Sequence, residues 1–335
     1  MLRNGQPPYP RPAQSYWLNP AVPASKLREV MASFAIHSLH KSFGSVKAVQ
    51  DLSFEVHPGQ VHGLLGPNGS GKTTTLCCAL GLMRPTKGSV EVLGVSSRAL
   101  HRTGGRLGVV FDQPVLLKRR SVAANLAYHA MIRGHKGGRT HDEVLDLVGL
   151  SDLKKRRAGA LSLGQGKRLA LATALAGNPE LVVLDEPLSG LDPVGTREIL
   201  ALISKLAASG LTLILSTHRL HDVEPVLTHA TIMVRGRRVA TGPLSEILGQ
   251  GEGLLQATVQ NTPLALEALS RMGGWQVCGQ EGSVIDVDLG SSGAQPSELA
   301  EVLVKAGAGL VRLQPAGQRL ADAFDRLVAQ ESARK

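Results

Sequence analysis

The sequence predicts an α/β protein whose central sheet is largely parallel and covered by helices on both faces. Two continuous apolar runs, "VHGLL" at 61–65 and "LVVLD" at 181–185, have the length and the Val/Leu content of buried strands. Stretches with helical spacing alternate with such runs over 33–249. A glycine-rich turn, "GPNGSGKTTT" at 66–75, joins the first of these strands to a helix.

The period of the apolar residues sets the expected elements of this first region. Strands are predicted at 34–39, 51–56, 61–65, 89–94, 107–111, 181–185 and 211–217. Helices are predicted at 72–82, within 121–148, from Ser162 onward and over the 190s and 200s.

The chain from position 250 onward has a different order of elements. Strands are expected in "LLQATVQ", "GWQVCG", "SVIDVDL" and "GLVRLQP", and helices in "PLALEALSRM" and "SELAEVLVKAG". The order β-α-β-β-α-β is that of a ferredoxin-like unit. We therefore predict a small α+β C-terminal domain over 250–335, which the helix "RLADAFDRLVAQ" closes, after a main domain over 33–249.

The N-terminal segment 1–32 is predicted to be a disordered tail. Six prolines by residue 23 favour extended, solvated chain and prevent a regular helix. An alternative is that translation begins at Met31, just before the first predicted strand. No stretch of the chain approaches the roughly 20 apolar residues that span a bilayer.

Charge is distributed unevenly along the chain. The formal net charge is +10, yet the part from Gly251 onward carries ten acidic and seven basic side chains, so the part over 1–250 holds +13. Such a basic surface suits nucleic acid, an anionic membrane face or an acidic partner. The densest run is "KKRR" at 154–157, and no aromatic residues interleave with it to stack on bases. We therefore expect a solvated helix end there and no direct contact with nucleic acid.

The three cysteines, Cys77, Cys78 and Cys278, are too few and too unevenly spaced for a disulfide framework. Their sparse use fits a reducing compartment. No His or Cys lies at ligand spacing from them, so buried structural roles are expected. His57, His62 and His221 likewise show no ligand spacing, and surface or core positions are expected for them.

The glycine-rich turn fits the pattern G-x-x-x-x-G-K-[ST] of a phosphate-binding loop. Glycines allow backbone N–H groups to approach an anion, and the following helix adds its positive N-terminal end. Lys72 supplies a charge for the terminal phosphates, and the Thr73 hydroxyl is a ligand for Mg²⁺. The predicted loop residues are Gly66, Pro67, Asn68, Gly69, Ser70, Gly71, Lys72, Thr73 and Thr74.

The segment "LVVLDEP" supplies two successive carboxylates downstream of this loop. Its strand delivers Asp185 to the carboxyl end of the sheet, where a Mg²⁺ ion would lie. Glu186 follows beside the terminal phosphate, where a carboxylate orients and polarises an attacking water. ATP and Mg²⁺ are therefore the expected ligands.

The segment "LSLGQGKR" at 161–168 resembles the L-S-G-G-Q signature of the ATP-binding subunits of ABC transporters. The resemblance spans about 34–248 and keeps the family's order of motifs. It implies a P-loop NTPase of the ABC type with antiparallel β and helical subdomains. By the same resemblance, Phe43 stacks on adenine, Glu186 is the catalytic glutamate, and His218 in "LSTH" is the switch histidine that contacts the terminal phosphate.

The resemblance also implies that the signature acts in trans. Ser162, Leu163, Gly164 and Gln165 would open a helix that points at the ATP bound by a second subunit. Two copies would enclose two ATP molecules, and closing and opening of this homodimer would drive a transporter.

Two positions depart from the family pattern. Leu163 replaces the middle glycine of the signature, as in some peptide-antibiotic exporters. The glutamine that senses Mg²⁺ should follow "GVVF", but Asp112 occupies that place and Gln113 comes one residue later. Either residue is a candidate for the Mg²⁺ site.

The expected function is that of an ATPase subunit at the cytoplasmic face of the cell membrane, docked on a separate membrane-spanning permease through 114–150. The ending "LADAFDRLV" resembles the tails of bacterial drug- and antibiotic-export ATPases, which favours export of drugs, antibiotics or lipid-like compounds. The alternative is an ABC-type ATPase that acts on nucleic acid or ribosomes without a transporter. Such translation factors usually carry two nucleotide units in one chain, whereas this sequence has one.

Overall fold

The computed structural model describes residues 31–133, 139–177, 179–248, 254–289, 294–315 and 320–333. The chain divides into a unit at 1–31 and a unit spanning Ala32–Lys335, and the helices and strands described all lie in the second. The predicted disorder over 1–32 falls almost wholly outside the described part of the chain.

A six-stranded sheet forms the centre of the main region. Its strands are β3 (Val61–Leu65), β6 (Leu107–Val110), β7 (Leu181–Asp185), β8 (Thr212–Thr217), β9 (His229–Val234) and β10 (Arg237–Pro243). Their order is β10-β9-β3-β8-β7-β6, and every neighbouring pair is parallel except β9 and β10. All residues of β3, β7 and β8 are buried, because helices or a second sheet cover both faces.

A four-stranded antiparallel sheet packs beside this one. It consists of β1 (Phe34–Phe43), β2 (Val46–Val56), β4 (Lys87–Val92) and β5 (Val95–Ser96), in the order β2-β1-β4-β5. Buried side chains of β1, β2 and β4 share one apolar core with Leu64, Val183 and Ile214 of the central sheet. The two sheets therefore hold one another through a common interior.

Helices complete the main region. They are α1 (Lys72–Ala79), α2 (Val122–Arg133), α3 (His141–Leu147), α4 (Leu163–Leu175), α5 (Pro193–Ala208), α6 (Leu220–Val223) and α7 (Leu244–Leu248). A second core contains buried residues of α2 to α5 and the other side of the central sheet.

In the main region, three predicted boundaries differ from those observed by three residues or more. β1 runs on to Phe43 and β2 begins at Val46, because a turn at Gly44 joins them as a hairpin. α1 ends at Ala79 rather than at residue 82, since Gly81 has a φ of 69°. A Cβ at Gly81 would lie 2.4 Å from the Ser97 carbonyl oxygen, so this position requires glycine.

The C-terminal region contains its own sheet. Its elements are β11 (Leu254–Val259), α8 (Thr262–Ser270), β12 (Gln276–Glu281), β13 (Val284–Asp288), α9 (Pro296–Lys305) and β14 (Leu310–Pro315). The strands are antiparallel in the order β12-β13-β11-β14, and residues of α8 and α9 share a small core with them.

The last helix, α10 (Leu320–Ala333), packs on the main region instead of on this small sheet. Leu320 is fully buried in the second core, with Phe324 and Leu327 packed against it. The Leu320 backbone N–H donates to a carboxylate oxygen of Glu224 over 2.8 Å, which satisfies a donor at the start of the helix. The predicted domain boundary at 249/250 therefore assigns to the C-terminal domain a helix whose contacts lie in the main domain.

Within the described ranges, no helix combines the length and the apolar character needed to cross a bilayer. Cys77, Cys78 and Cys278 are all free thiols, the second of them buried and the third exposed.

His62 is a buried polar residue of the central sheet. Its side chain is 2% exposed, its ring stacks on Phe54 with centroids 5.1 Å apart, and Nε2 lies 2.8 Å from the Thr231 hydroxyl. Burial, and to a smaller extent the nearby His229, lowers the pKa of His62 to about 3. The folded protein therefore holds His62 neutral in the core, which is one of the two positions, surface or core, expected from the sequence.

We expect His62 to make the fold sensitive to acid. Its folded pKa lies below the unfolded value near 6.5, so its contribution is complete above pH 6.5 and declines as the pH falls towards 3. Between pH 6.5 and 5.5 the free energy of unfolding should fall by about 1 kcal/mol from this residue alone. Urea unfolding at both pH values should show a smaller decline for His62→Gln than for the native chain. His101→Gln, at an exposed histidine, is the control, and an equal decline in all three proteins would contradict the assignment.

Candidate functional site

The glycine-rich loop lies between β3 and α1, at the carboxyl end of the central sheet. Gly66 has a φ of 153° and Gly71 a φ of 101°, and each is closely enclosed by backbone. A Cβ would lie 2.3 Å from the Met233 carbonyl oxygen at Gly66 and 2.5 Å from that of Ala48 at Gly71. Only glycine permits this path, which directs the loop around an anion-sized space at the start of α1.

The loop forms one wall of an open cleft of about 360 Å³. Its other walls come from β2, from the segments after β6 and β7, and from the residue after β8. The lining residues are Ala48, Asn68, Gly69, Ser70, Gly71, Lys72, Thr73, Thr74, Asp112, Glu186, Ser189 and His218. The predicted loop residues from Asn68 to Thr74 and both predicted catalytic residues thus line the same cleft.

The Lys72 side chain folds back onto the first residues of the loop. Its Nζ donates to the Gly66 carbonyl over 2.7 Å and to the Pro67 carbonyl over 3.2 Å, and lies 3.5 Å from Glu186 Oε1. Burial lowers the pKa of Lys72, and the charges of Glu186 and Asp185 partly oppose that effect. An ammonium group with these partners is a ready donor to phosphate oxygens entering the cleft.

Asp185 ends β7 and faces the loop. One of its carboxylate oxygens accepts from the Ser216 hydroxyl over 2.5 Å and from the Thr73 hydroxyl over 3.4 Å. Burial and the adjacent Glu186 raise the pKa of this carboxyl, while the bond from Ser216 opposes the rise. A nearby cation would favour its charged form.

The donors at this point suit Mg²⁺, which prefers hard oxygen ligands. The Thr73 hydroxyl and the Asp185 carboxylate contact each other directly. The Ser70 hydroxyl is buried beside them in the loop and has no hydrogen-bond partner among the described residues. These residues fit a magnesium ion bound together with phosphate oxygens.

Glu186 has an unusual backbone conformation, with a φ of 45° in the left-handed region. Its N–H donates to the hydroxyl and the carbonyl of Ser216, each over 3.1 Å. Its carboxylate lies between Lys72 and His218, whose Nδ1 is 3.1 Å from Oε2. A carboxylate held in this way can orient a water molecule and accept its proton.

Asp112 and Gln113 occupy different surroundings. Asp112 lines the cleft, and its carboxylate accepts from Lys167 Nζ over 3.4 Å. Gln113 is exposed and lies outside the cleft lining. The geometry therefore favours Asp112 as the residue of this pair that reaches the bound ligand.

The signature residues lie apart from this cleft. Ser162 caps α4 and forms a reciprocal pair with Gln165, whose backbone N–H donates to the Ser162 hydroxyl over 3.2 Å. Leu163 is 52% exposed. None of Ser162, Leu163, Gly164 and Gln165 is among the residues that line the cleft.

Phe43 also lies outside the cleft lining. It ends β1 at the hairpin with β2 and is 47% exposed, with Lys41 Nζ 4.8 Å from the centre of its ring. One face of the ring thus contacts a cation, and the exposed remainder is available for stacking on a base.

Three residues outside the predicted set of site residues contribute to the site. Ser189 lines the cleft, Ser216 holds Asp185 and Glu186, and Lys167 bonds to Asp112. The role of Ser216 could have been predicted from the strand order, because Ser216 pairs with Asp185 in the parallel sheet. Lys167 offered no distinct signal, because it lies next to Arg168 in the polar first half of α4.

Comparison with known proteins identifies the family. Residues 49–189 match the family model described as ABC transporter. The bacitracin transport ATP-binding protein BcrA of Bacillus licheniformis is 33% identical over 303 residues, which cover 87% of this chain and 95% of that protein. The methionine import ATP-binding protein MetN of Streptomyces coelicolor is 34% identical over 284 residues, covering 80% and 78% of the two chains.

Solved structures give the same result. The ADP-bound form of MJ1267, an ATP-binding cassette of an ABC transporter, matches with a TM-score of 0.58 and 28% identity, over 64% of this chain and 92% of that chain. The ABC-type fold described above thus agrees with these solved structures. The chain belongs to the ATP-hydrolysing, ATP-binding subunits of ABC transporters.

Proposed function

We propose that this chain forms a homodimer around two ATP molecules and powers a membrane-spanning permease that exports an antibiotic, a drug or a lipid-like compound. The observation that carries the hydrolytic part is the meeting of Lys72, Glu186 and His218 at one cleft, with Asp185 bonded to Thr73 in the cleft wall. The site of action is the cytoplasmic face of the cell membrane, through the permease.

In this proposal each side chain of the site has a defined role. The loop from Gly66 to Thr74 surrounds the phosphates, and Lys72 neutralises the terminal ones. Glu186 orients the attacking water and accepts its proton, while His218 supports that carboxylate and contacts the terminal phosphate. Mg²⁺, held by Thr73 and Asp185 with Asp112 as a further candidate, would neutralise charge on the phosphate oxygens.

The position of the signature supports a second copy as the partner in hydrolysis. Ser162 and Leu163 open α4 at the surface, and the signature lies outside the cleft of its own chain. The start of α4 carries the positive end of a helix that continues to Leu175. A second copy could therefore contribute this helix end to the open side of the cleft.

Exposed apolar side chains support the predicted docking surface at 114–150. Val115 is 78% exposed, Met131 71% and Ile132 61%, and Tyr128 and Leu117 are also exposed. Single exposed apolar residues are ordinary, but a group of them in and just before one helix indicates a surface with a partner. A permease suits that surface because the family works with one.

The same region collects positive charge. Backbone bonds from Ala158 to Arg120 and from Val122 to Arg156 join the basic run 118–120 to the basic run 154–157. All side chains of both runs are exposed. Acidic cytoplasmic segments of a permease would complement this surface, and the lack of interleaved aromatic residues argues against nucleic acid.

The direction of transport rests on the relatives. The match to BcrA, a bacitracin transport protein, extends over 95% of that protein and therefore includes most of the C-terminal region. This supports the handling of antibiotic-like compounds. Methionine import proteins also match, and the match to one of them covers 80% of this chain. Import is therefore the second candidate. Transport in vesicles reconstituted with the permease would distinguish the two directions.

We expect Glu186→Gln to leave ATP binding intact and to trap an ATP-bound dimer. Loss of a carboxylate that accepts the proton of water should lower turnover by roughly 10² to 10⁴-fold. Analytical ultracentrifugation with ATP should show the dimer, and Glu91→Gln, on an exposed part of β4, should behave like the native chain. Unchanged turnover would remove Glu186 from its proposed role.

We expect Asp112→Ala to raise the Mg²⁺ concentration needed for half-maximal ATPase activity. Gln113→Ala should have little effect, because Gln113 lies outside the cleft lining. Magnesium titration of ATPase activity measures both variants. The opposite order of effects would assign the Mg²⁺ site to Gln113.

We expect the chain purified from membranes to bring with it a protein with several membrane spans. Met131→Asp combined with Ile132→Asp should abolish this association without lowering ATP binding, because charges would replace apolar contacts. Val311→Asp, at a 62% exposed apolar residue of β14, is the matched control. Co-purification of ribosomes or nucleic acid instead would favour the alternative that involves no transporter.

A further inference from the structure

Lys167 is a buried charge in the helix that carries the signature. Its side chain is 4% exposed, and its neighbours along α4, Leu169, Ala170 and Leu171, belong to the apolar core. Burial lowers the pKa of Lys167, whereas the charges of Asp112, Glu186 and Asp185 raise it. A buried ammonium group is costly unless it has hydrogen-bonding partners.

Lys167 has two such partners, which come from different segments. Its Nζ donates to the Glu186 backbone carbonyl over 3.0 Å and to the Asp112 carboxylate over 3.4 Å. Glu186 follows β7, and Asp112 lies in the segment that leads from β6 to α2. One side chain of α4 therefore joins two walls of the cleft.

The bond to Glu186 supports a strained residue. A non-glycine residue with a φ of 45° costs of the order of 1 kcal/mol unless its surroundings hold it. Ser216 holds the N–H of Glu186, while the carbonyl accepts from the Ser189 N–H over 3.1 Å and from Lys167. Ser216, Ser189 and Lys167 hold the backbone of Glu186, and of these three residues only Lys167 is charged. Lys167 also contacts Asp112.

We propose that Lys167 is a positioning residue, which keeps the Glu186 carboxylate aimed into the cleft and joins its backbone to the Asp112 segment. The inference rests on the proposed role of Glu186 in hydrolysis. Lys167 does not line the cleft and acts through the Glu186 carbonyl. Its loss should therefore slow the chemical step and leave nucleotide affinity nearly unchanged.

The test compares Lys167→Met with Arg168→Met in the full-length chain. Arg168 is the next residue of α4, and its guanidinium donates to the carbonyls of Val148 and Gly149, away from the cleft. Each variant removes a cation of α4 that binds a backbone carbonyl and lies near a carboxylate, Asp112 for Lys167 and Glu198 for Arg168. Arg168→Met is therefore the control for loss of such a cation. The measurements are kcat and KM for ATP, the melting temperature, and amide hydrogen exchange of nucleotide-free protein over 185–191.

We expect Lys167→Met to lower kcat roughly 10- to 100-fold with a KM within about threefold of the native value. The amides of Glu186 and Ser189 should exchange faster, and Arg168→Met should change neither kcat nor this exchange. An unchanged kcat and unchanged exchange in a folded Lys167→Met protein would overturn the proposal. Equal losses of kcat in both variants would also do so, because they would indicate a general loss of stability.

Lys167→Gln provides the same measurements if Lys167→Met does not fold, since the amide keeps one donor for the Glu186 carbonyl. The kcat of Lys167→Gln should then be lower than that of the native chain without being lost, and the Glu186 amide should exchange faster. A kcat and an exchange rate equal to those of the native chain would count against the proposal. Hydrogen exchange requires no nucleotide, so it separates this inference from the role of Glu186. If Glu186→Gln retained turnover, the proposed function would fail while the exchange result still tested the contact with Lys167.

Discussion

The parallel register of β3, β7 and β8 is the constraint on which the rest of the structure depends. Leu65 pairs with Thr217, and Asp185 pairs with Ser216, so the three strands end at one level. The glycine loop, Glu186 and His218 leave the sheet at that level and line one cleft, and Asp185 contacts Thr73 of its wall. A shift of one residue in any strand would turn these side chains to the other face.

Charge balance then organises the cleft. Two buried ammonium groups, of Lys72 and Lys167, are interleaved with the carboxylates of Asp112, Asp185 and Glu186. Each cation bonds to a backbone carbonyl as well as lying near a carboxylate, so the set is held by the main chain of several segments. Removal of one member would leave an opposite charge without compensation, which costs far more than the pair itself contributes. This arrangement of charges therefore suits the binding of a negatively charged triphosphate together with a cation.

Much of the sheet and of the site could be predicted from the sequence because both depend on local patterns. The strand at 61–65, the loop after it and the carboxylates after β7 each lie in a short segment whose chemistry is evident. Contacts between distant segments could not be predicted in this way. Lys167 reaches Glu186 and Asp112 only because of how α4 packs, and the choice between Asp112 and Gln113 depends on the path of one loop. Phe43 was expected at adenine, yet the fold leaves it outside the cleft lining, so its stacking role stays a prediction.

The return of α10 gives the small C-terminal sheet two covalent attachments to the ATPase, one before β11 and one after β14. The helix covers apolar side chains near α6, which begins shortly after His218, and Glu224 receives its first N–H. A protein shortened after residue 248 would expose that strip to water and leave Glu224 without this partner. The segment that closes the chain is accordingly a structural component of the ATP-binding half, because it packs beside the short helix that begins two residues after His218.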